Sequence, residues 1–191
     1  LSIEGIFYED RIPPVVSGNR ITGTNSVEIV FNEDPSDEIL NPAEFLLENA
    51  GNQAVKAVRK SPAVIEVTFR NDFINKIVNG LLISNLCDRA GNCISDVRIE
   101  FIPVWAEAGD IVISEIMADP VPAVALPEKE YLEITNRTGF TFNLKGWMIS
   151  SENQEGMFPE AEIGPYEIYI LCQASDTSLF RKYGRVAGIK S

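Results

Sequence analysis

Ile113-Ser114-Glu115-Ile116-Met117-Ala118-Asp119-Pro120 opens the stretch that decides the fold. After a Pro-containing loop come Glu130-Tyr131-Leu132-Glu133-Ile134-Thr135-Asn136 and then Asn143-Leu144-Lys145-Gly146-Trp147-Met148-Ile149-Ser150. In the first run Ile111, Ile113 and Ile116 interleave with Ser114 and Glu115 on a two-residue beat that slips once, as at a β-bulge. In the second, Leu132 and Ile134 face one way while Tyr131 alternates with Glu130 and Glu133. This predicts one aliphatic face and one acidic face bearing a single aromatic ring. Asn136-Arg137-Thr138-Gly139 has turn chemistry, and Phe140, Phe142 and Leu144 resume the alternation. Gly146 is expected to give Trp147 backbone room to pack. The stretch is strand, loop, strand, turn, strand.

Working outward, 191 residues suffice for one large or two ordinary domains, and 11 Pro with 13 Gly imply many turns. No run approaches the ~20 apolar residues of a membrane helix. The chain starts Leu1-Ser2-Ile3-Glu4, without Met or signal peptide, and is read as a mature form or a fragment. Residues 1–106 hold 9 basic and 15 acidic groups and residues 107–191 hold 7 and 13, so the net charge of −12 is shared evenly. Neither half offers a basic face for phosphates, which argues against nucleic acid, and membrane insertion is not expected. There is no histidine, which removes the commonest general base, the Ser–His and Cys–His pairs and every His-containing zinc site. Three Cys are too few for a tetrahedral cysteine site.

Upstream, short strands recur at 8–12-residue spacing. Val27, Ile29 and Phe31 share one face; Ile65, Val67 and Phe69 face in while Glu66 and Thr68 face out. Leu81 to Leu86 is expected as one compact strand, and Asn41-Pro42-Ala43-Glu44 as a helical turn with Asn41 as cap. Ile3, Ile6 and Tyr8 are a lead-in strand or the end of a preceding domain. Downstream, Ile168 to Cys172 is a strand, and Thr177 to Tyr183 is a helical turn or two capped by Asp176 and closed by Gly184.

The order of the ISEIMADP run, a Pro loop, EYLEITN and NLKGW resembles the lamin tail domain, in the form found in large secreted bacterial proteins. VEIVFNEDP, NPAEFLLENA, VIEVTF and LLISNLCDRAGN, over about residues 12–104, look like a bacterial immunoglobulin-like domain. The resemblance implies an all-β chain of two tandem immunoglobulin-like β-sandwiches. They span 1–106, with 1–11 either a lead-in strand or the tail of a preceding domain, and 107–191, cut short at its C-terminus. Residues 103–109 would be the junction and Trp105 would lie buried between the domains. A truncated second domain would leave Ile168-Tyr169-Ile170-Leu171 near an unpaired edge, open to edge-strand self-association.

Glu115, Asp119, Glu130 and Glu133 are the best acidic constellation, and Glu115, Asp119 and Glu133 the calcium candidates. Against this, Glu130 and Glu133 lie on different faces, Asp119-Pro120 starts a turn, and no D-x-D-x-D-G loop is present. The same carboxylates as a glycosidase pair are weighed and not favoured. No cofactor is expected. Asp88 and Asn92 are read as turn residues around Gly91, and the aromatics as packing in preference to a sugar platform. Asn136-Arg137-Thr138 is also a glycosylation sequon. In an exported protein Cys87 and Cys93 form a disulfide worth about 2 kcal/mol, with Cys172 a buried free thiol. The chain is therefore expected to be non-catalytic, an adhesion, spacer or interaction module of a larger secreted or surface-anchored protein, located outside the cell, in the periplasm or at the cell surface. Its partner would be a protein or a cell-surface polysaccharide. The alternative is a targeting or carbohydrate-binding module attached to an extracellular hydrolase.

Overall fold

Strand-forming alternation dominates the computed structural model, which describes residues 10–121, 125–151 and 155–189 and divides into units 1–103 and 104–191. The expected lead-in strand at Ile3, Ile6 and Tyr8 and any strand beyond Ile189 lie outside the described residues. Unit 1 contains β1 (Val16–Ile21), β2 (Ser26–Phe31), β3 (Phe45–Leu47), β4 (Asn52–Ser61) and β5 (Val64–Phe69). It continues with β6 (Asn79–Ile83), β7 (Leu86–Cys87), β8 (Cys93–Ile94) and β9 (Val97–Phe101). Unit 2 contains β10 (Ile111–Met117), β11 (Tyr131–Asn136), β12 (Phe142–Asn143), β13 (Met148–Ser150) and β14 (Glu155–Met157). β15 (Glu162–Ile163), β16 (Ile168–Gln173), helix α1 (Thr177–Phe180) and β17 (Arg185–Ile189) complete it.

In unit 1 seven strands join in the order β1-β2-β5-β4-β3-β6-β9. Strand β4 pairs with β3 at Asn52 and Gln53, shifts register between Ala54 and Lys56, and pairs with β5 beyond. A bulged strand that changes partner in this way turns a sheet through a sandwich corner. Val27, Ile29 and Phe31 are buried opposite Val67 and Ile65, and Phe45, Leu47, Leu81 and Ile83 of the paired strands β3 and β6 are buried too. Phe73 packs edge-on to Phe69 and Phe101, with ring centroids 5.7 and 5.0 Å apart. The apolar run Leu81–Leu86 is two strands because Asn85 adopts φ 49° between β6 and β7. Cys87 and Cys93, register partners of β7 and β8, are joined by a disulfide. Within their loop the Asp88 carboxylate accepts from the Asn92 backbone and side chain at 2.8 and 2.6 Å, and Gly91 takes φ 92°. Burial pushes the Asp88 carboxyl up, but the Asn92 amide and the loop N–H groups outweigh it and hold it below the ordinary range.

In unit 2 four strands form a sheet in the order β10-β11-β16-β17, in which only β16 and β17 run parallel. The Leu132, Ile134, Tyr169 and Leu171 face packs on Phe142, Leu144, Phe158 and Ile163, which belong to or flank the β12–β15 and β13–β14 ladders. The opposite face carries Tyr131, Ile170 and Cys172 under Phe180 from the β16–β17 crossover. A strand covered on both sides is apolar without alternation, as Tyr169 to Cys172 is. The expectation that Ile168–Leu171 sits near an open edge is therefore corrected: β11 and β17 flank it on either side. Cys172 is a buried free thiol, pushed up by burial and by Asp176.

Other details differ from the sequence reading. Asp176 makes no side-chain cap on the short helix. Gly146 has φ 79° and open space where a Cβ would stand, so it serves the turn before β13 and not the packing of Trp147. Asn136 is wholly buried. Its amide nitrogen donates to the Phe140 and Gly164 carbonyls at 2.6 Å each, and its oxygen accepts from the Thr138 N–H and hydroxyl at 2.9 Å each. The sequon is thus closed to glycosylation in the folded protein.

Two stability outcomes follow from this packing. A Cβ at Gly188 would lie 2.6 Å from the Ala174 backbone. Gly188→Ala should destabilise unit 2 by about 1–3 kcal/mol, seen as lost amide-exchange protection in β16 and β17. Gly18→Ala, where a Cβ meets nothing within 4 Å, should leave the melt unchanged. Asn136→Ala strands two carbonyls and an N–H, and should cost about 2–4 kcal/mol in denaturant unfolding. Asn143→Ala, which removes a single exposed bond to the Lys145 N–H, should cost under about 1 kcal/mol.

Candidate functional site

The slip in the isoleucine beat builds the site. Ile113 pairs with Ile134 and Glu115 with Glu133, so β10 advances two residues for one of β11, with Ser114 as the extra residue. This places Ile113 and Ile116, three apart, on the same inward face as Ile134 and Leu132. Without the bulge they would point to opposite faces. Yet Ile113 is 50% and Ile116 63% exposed. A groove of about 460 Å³ lies there, across the end of the sheet where β10 and β16 finish and β11 begins. Leu132, Leu171, Ile149 and Ile189 line it, and Glu130, Ser150, Glu155 and Gln173 contribute its polar part. Gly156 permits the close approach of β14 to β17: a Cβ there would stand 2.1 Å from the Ile189 side chain.

The opposite face of the same strands receives the acidic residues. Glu115 and Glu133 are register partners. Each carboxylate is engaged by a different hydroxyl. Tyr131 donates to Glu115 at 2.6 Å and Ser114 to Glu133 at 2.6 Å, while Thr135 donates to Ser114 at 2.9 Å. This chain of bonds holds the bulge. Asp119 lies in the loop beyond β10, its carboxylate turned to the Val121 N–H. Among the described residues Glu115, Asp119 and Glu133 do not form a three-ligand group, and Glu130 belongs to the groove on the other face. The group that does form is in unit 1, where carboxylate oxygens of Asp10, Glu33 and Asp88 lie within 4.8 Å of one another. Those residues are far apart in sequence and gave no motif. The Asp88 oxygens are already engaged by Asn92.

The aromatics divide between core and surface. Tyr131, Phe158 and Tyr169 are buried, whereas Tyr166 is 70% exposed. The groove itself was not legible as a site, because it depends on which inward residues the facing ladder leaves uncovered.

An immunoglobulin-like β-sandwich is thus the class that unit 2 defines. Residues 106–188 match the model of the Lamin Tail Domain family, in agreement with the motifs between Ile113 and Ser150. Among solved structures the chain is similar to the N-terminal part of the bacterial S-layer protein SbsC, at 13% identity and a TM-score of 0.46 over 75% of this chain and 37% of that one. It is also similar to domains 1–6 of surface layer protein SbsC, at 13% identity and a TM-score of 0.47 over 82% and 20% of the two chains. A third likeness is to the S-layer protein rSbsC(31-844), at 10% identity and a TM-score of 0.45 over 83% and 32%. The chain spans between a fifth and 37% of the length of these proteins. No curated protein matches it.

The Tyr131–Glu115 bond has a pH signature. Hydrogen bonding to Glu115, together with burial and the charges of Glu115 and Glu133, pushes the Tyr131 phenol up to about 12. The folded value lies above the unfolded one of about 10, so the stabilisation is complete below about pH 10 and is lost as pH rises toward 12. Tyr131→Phe has no phenol to titrate. The stability gap between wild type and variant should narrow from pH 9 to pH 11.5 in denaturant titrations, and an unchanged gap would show that the bond contributes nothing.

Proposed function

We propose that this chain is a non-catalytic interaction module of a larger secreted or surface-anchored protein, and that its second unit grips a protein partner at the groove beside β10. The observation that carries the reading is the pair of half- to two-thirds-exposed isoleucines on the inward face of a sheet, next to a largely aliphatic groove. Exposed apolar surface of this kind favours a protein contact. The Cys87–Cys93 disulfide supports an oxidising compartment outside the cytosol. A carbohydrate-binding role would need exposed rings in a row, and the burial of Tyr131, Phe158 and Tyr169 favours the protein reading over it.

Display selection of random peptides against the folded chain, with a glycan array in parallel, tests this. Enriched peptides should bind wild type at least tenfold more tightly than Ile116→Ser, a substitution at an exposed position that should leave the melt unchanged. Glycan binding without peptide enrichment, or peptides indifferent to Ile116, would sink the reading.

A further inference from the structure

Resting on that reading, we propose that the outer edge of β10 accepts an extended strand of a partner protein in which apolar residues alternate with Lys or Arg. Among the described residues no strand pairs with the outer side of β10; an isolated bridge from Ala108 to Ile111 touches only its start. From Val112 to Met117 the strand presents backbone donors and acceptors to an incoming chain. The other edge of the sheet, β17, also has no outer strand partner among the described residues, but its inward side chains are already covered: Ala187 is buried and Ile189 partly so. At β10 the inward layer is unfinished. An added strand would set its inward side chains beside Ile113 and Ile116, at the ~5 Å spacing of neighbouring strands, and close that side of the groove.

Charge selects the occupant. Three other carboxylates of unit 2 have cationic partners: Glu167 meets Arg185 at 2.8 Å, Glu160 meets Lys145 at 3.2 Å and Asp176 meets Lys129 at 3.7 Å. Glu115, Glu130 and Glu155, which flank the open edge and the groove, have no Lys or Arg partner among the described residues. A strand with basic side chains between its apolar ones would supply them. A second copy of this chain would not, because it brings the same carboxylates and a net charge of −12. The bulge at Ser114 distorts the ladder locally, which works against indiscriminate sheet growth and favours one register.

The test uses the full chain and a fluorescent eight-residue peptide alternating Val and Lys, read by anisotropy at 50 and 300 mM salt. Binding should weaken at least tenfold in each of three controls: a central Pro in the peptide, which removes a backbone donor; clustering of its Val residues in a shuffled order; and Ile116→Ser in the protein. A Val/Glu alternating peptide should not bind measurably. Equal binding of the shuffled or Pro-containing peptide would reduce the effect to plain charge attraction and overturn the proposal. So would equal binding of the Val/Glu peptide, or a concentration-dependent dimer in sedimentation that Ile116→Ser abolishes. Groove-dependent peptides from the display selection that tolerate a central Pro would overturn strand addition alone, while leaving the protein-binding reading in place.

Discussion

The second unit depends on one buried amide. Asn136 ends β11, and its four hydrogen bonds reach the turn at Thr138 and Phe140 and the separate turn at Gly164. Around it the Asn136 N–H donates to the Glu167 carbonyl and the Arg137 N–H to that of Asp110, so the approaches to β10 and β16 are tied to the same point. An asparagine can satisfy both its donor and acceptor sides at one site, which neither Asp nor Ala can do. Glu167 reinforces the corner. Burial pushes its carboxyl up, but the Gly164 N–H and Arg185 outweigh this and keep it below the ordinary range. Asn52 and Asn79 do similar work in unit 1, clamping Asn71 and the 74–77 loop. With these loops pinned, the strands between them have little freedom of register.

From that corner β10 and β11 run out together, and the bulge at Ser114 decides what each face carries. The inward side receives isoleucines at 113 and 116; the other receives Glu115 and the residues that brace it. Side-chain assignment and partner selection thus originate in the same extra residue. The groove is therefore a product of the sheet's own geometry, set by the bulge that turns Ile113 and Ile116 to one face.

Much of this was legible where a strand is covered on one side only. Val27, Ile29 and Phe31, or Ile65, Val67 and Phe69, alternate cleanly because water lies on their other face. The bulge was legible too, since a slip in a hydrophobic beat has few other causes. Legibility failed where burial comes from distant segments. The run at Ile168 to Cys172 reads as one sticky strand until the crossover through Phe180 covers its second face. Tyr131 reads as part of an acidic face, yet it is 7% exposed because the same crossover lies over it. Gly146 could equally serve packing or a turn, and only its dihedral angle separates the two. The groove was out of reach altogether. It is defined by an absence of cover, to which no local pattern corresponds.

The strand directions have a mechanical consequence. β10 opposes β11, β11 opposes β16, and β16 runs with β17, so the first and last strands of the sheet point the same way from its two edges. A pull that draws the start of β10 backward and the end of β17 forward acts along the strands, not across them. Each ladder in between is then loaded in shear, and its hydrogen bonds stretch together instead of opening one after another as in a peeled hairpin. Tension passing from unit 1 through β10 would meet the sheet in its stiffest direction.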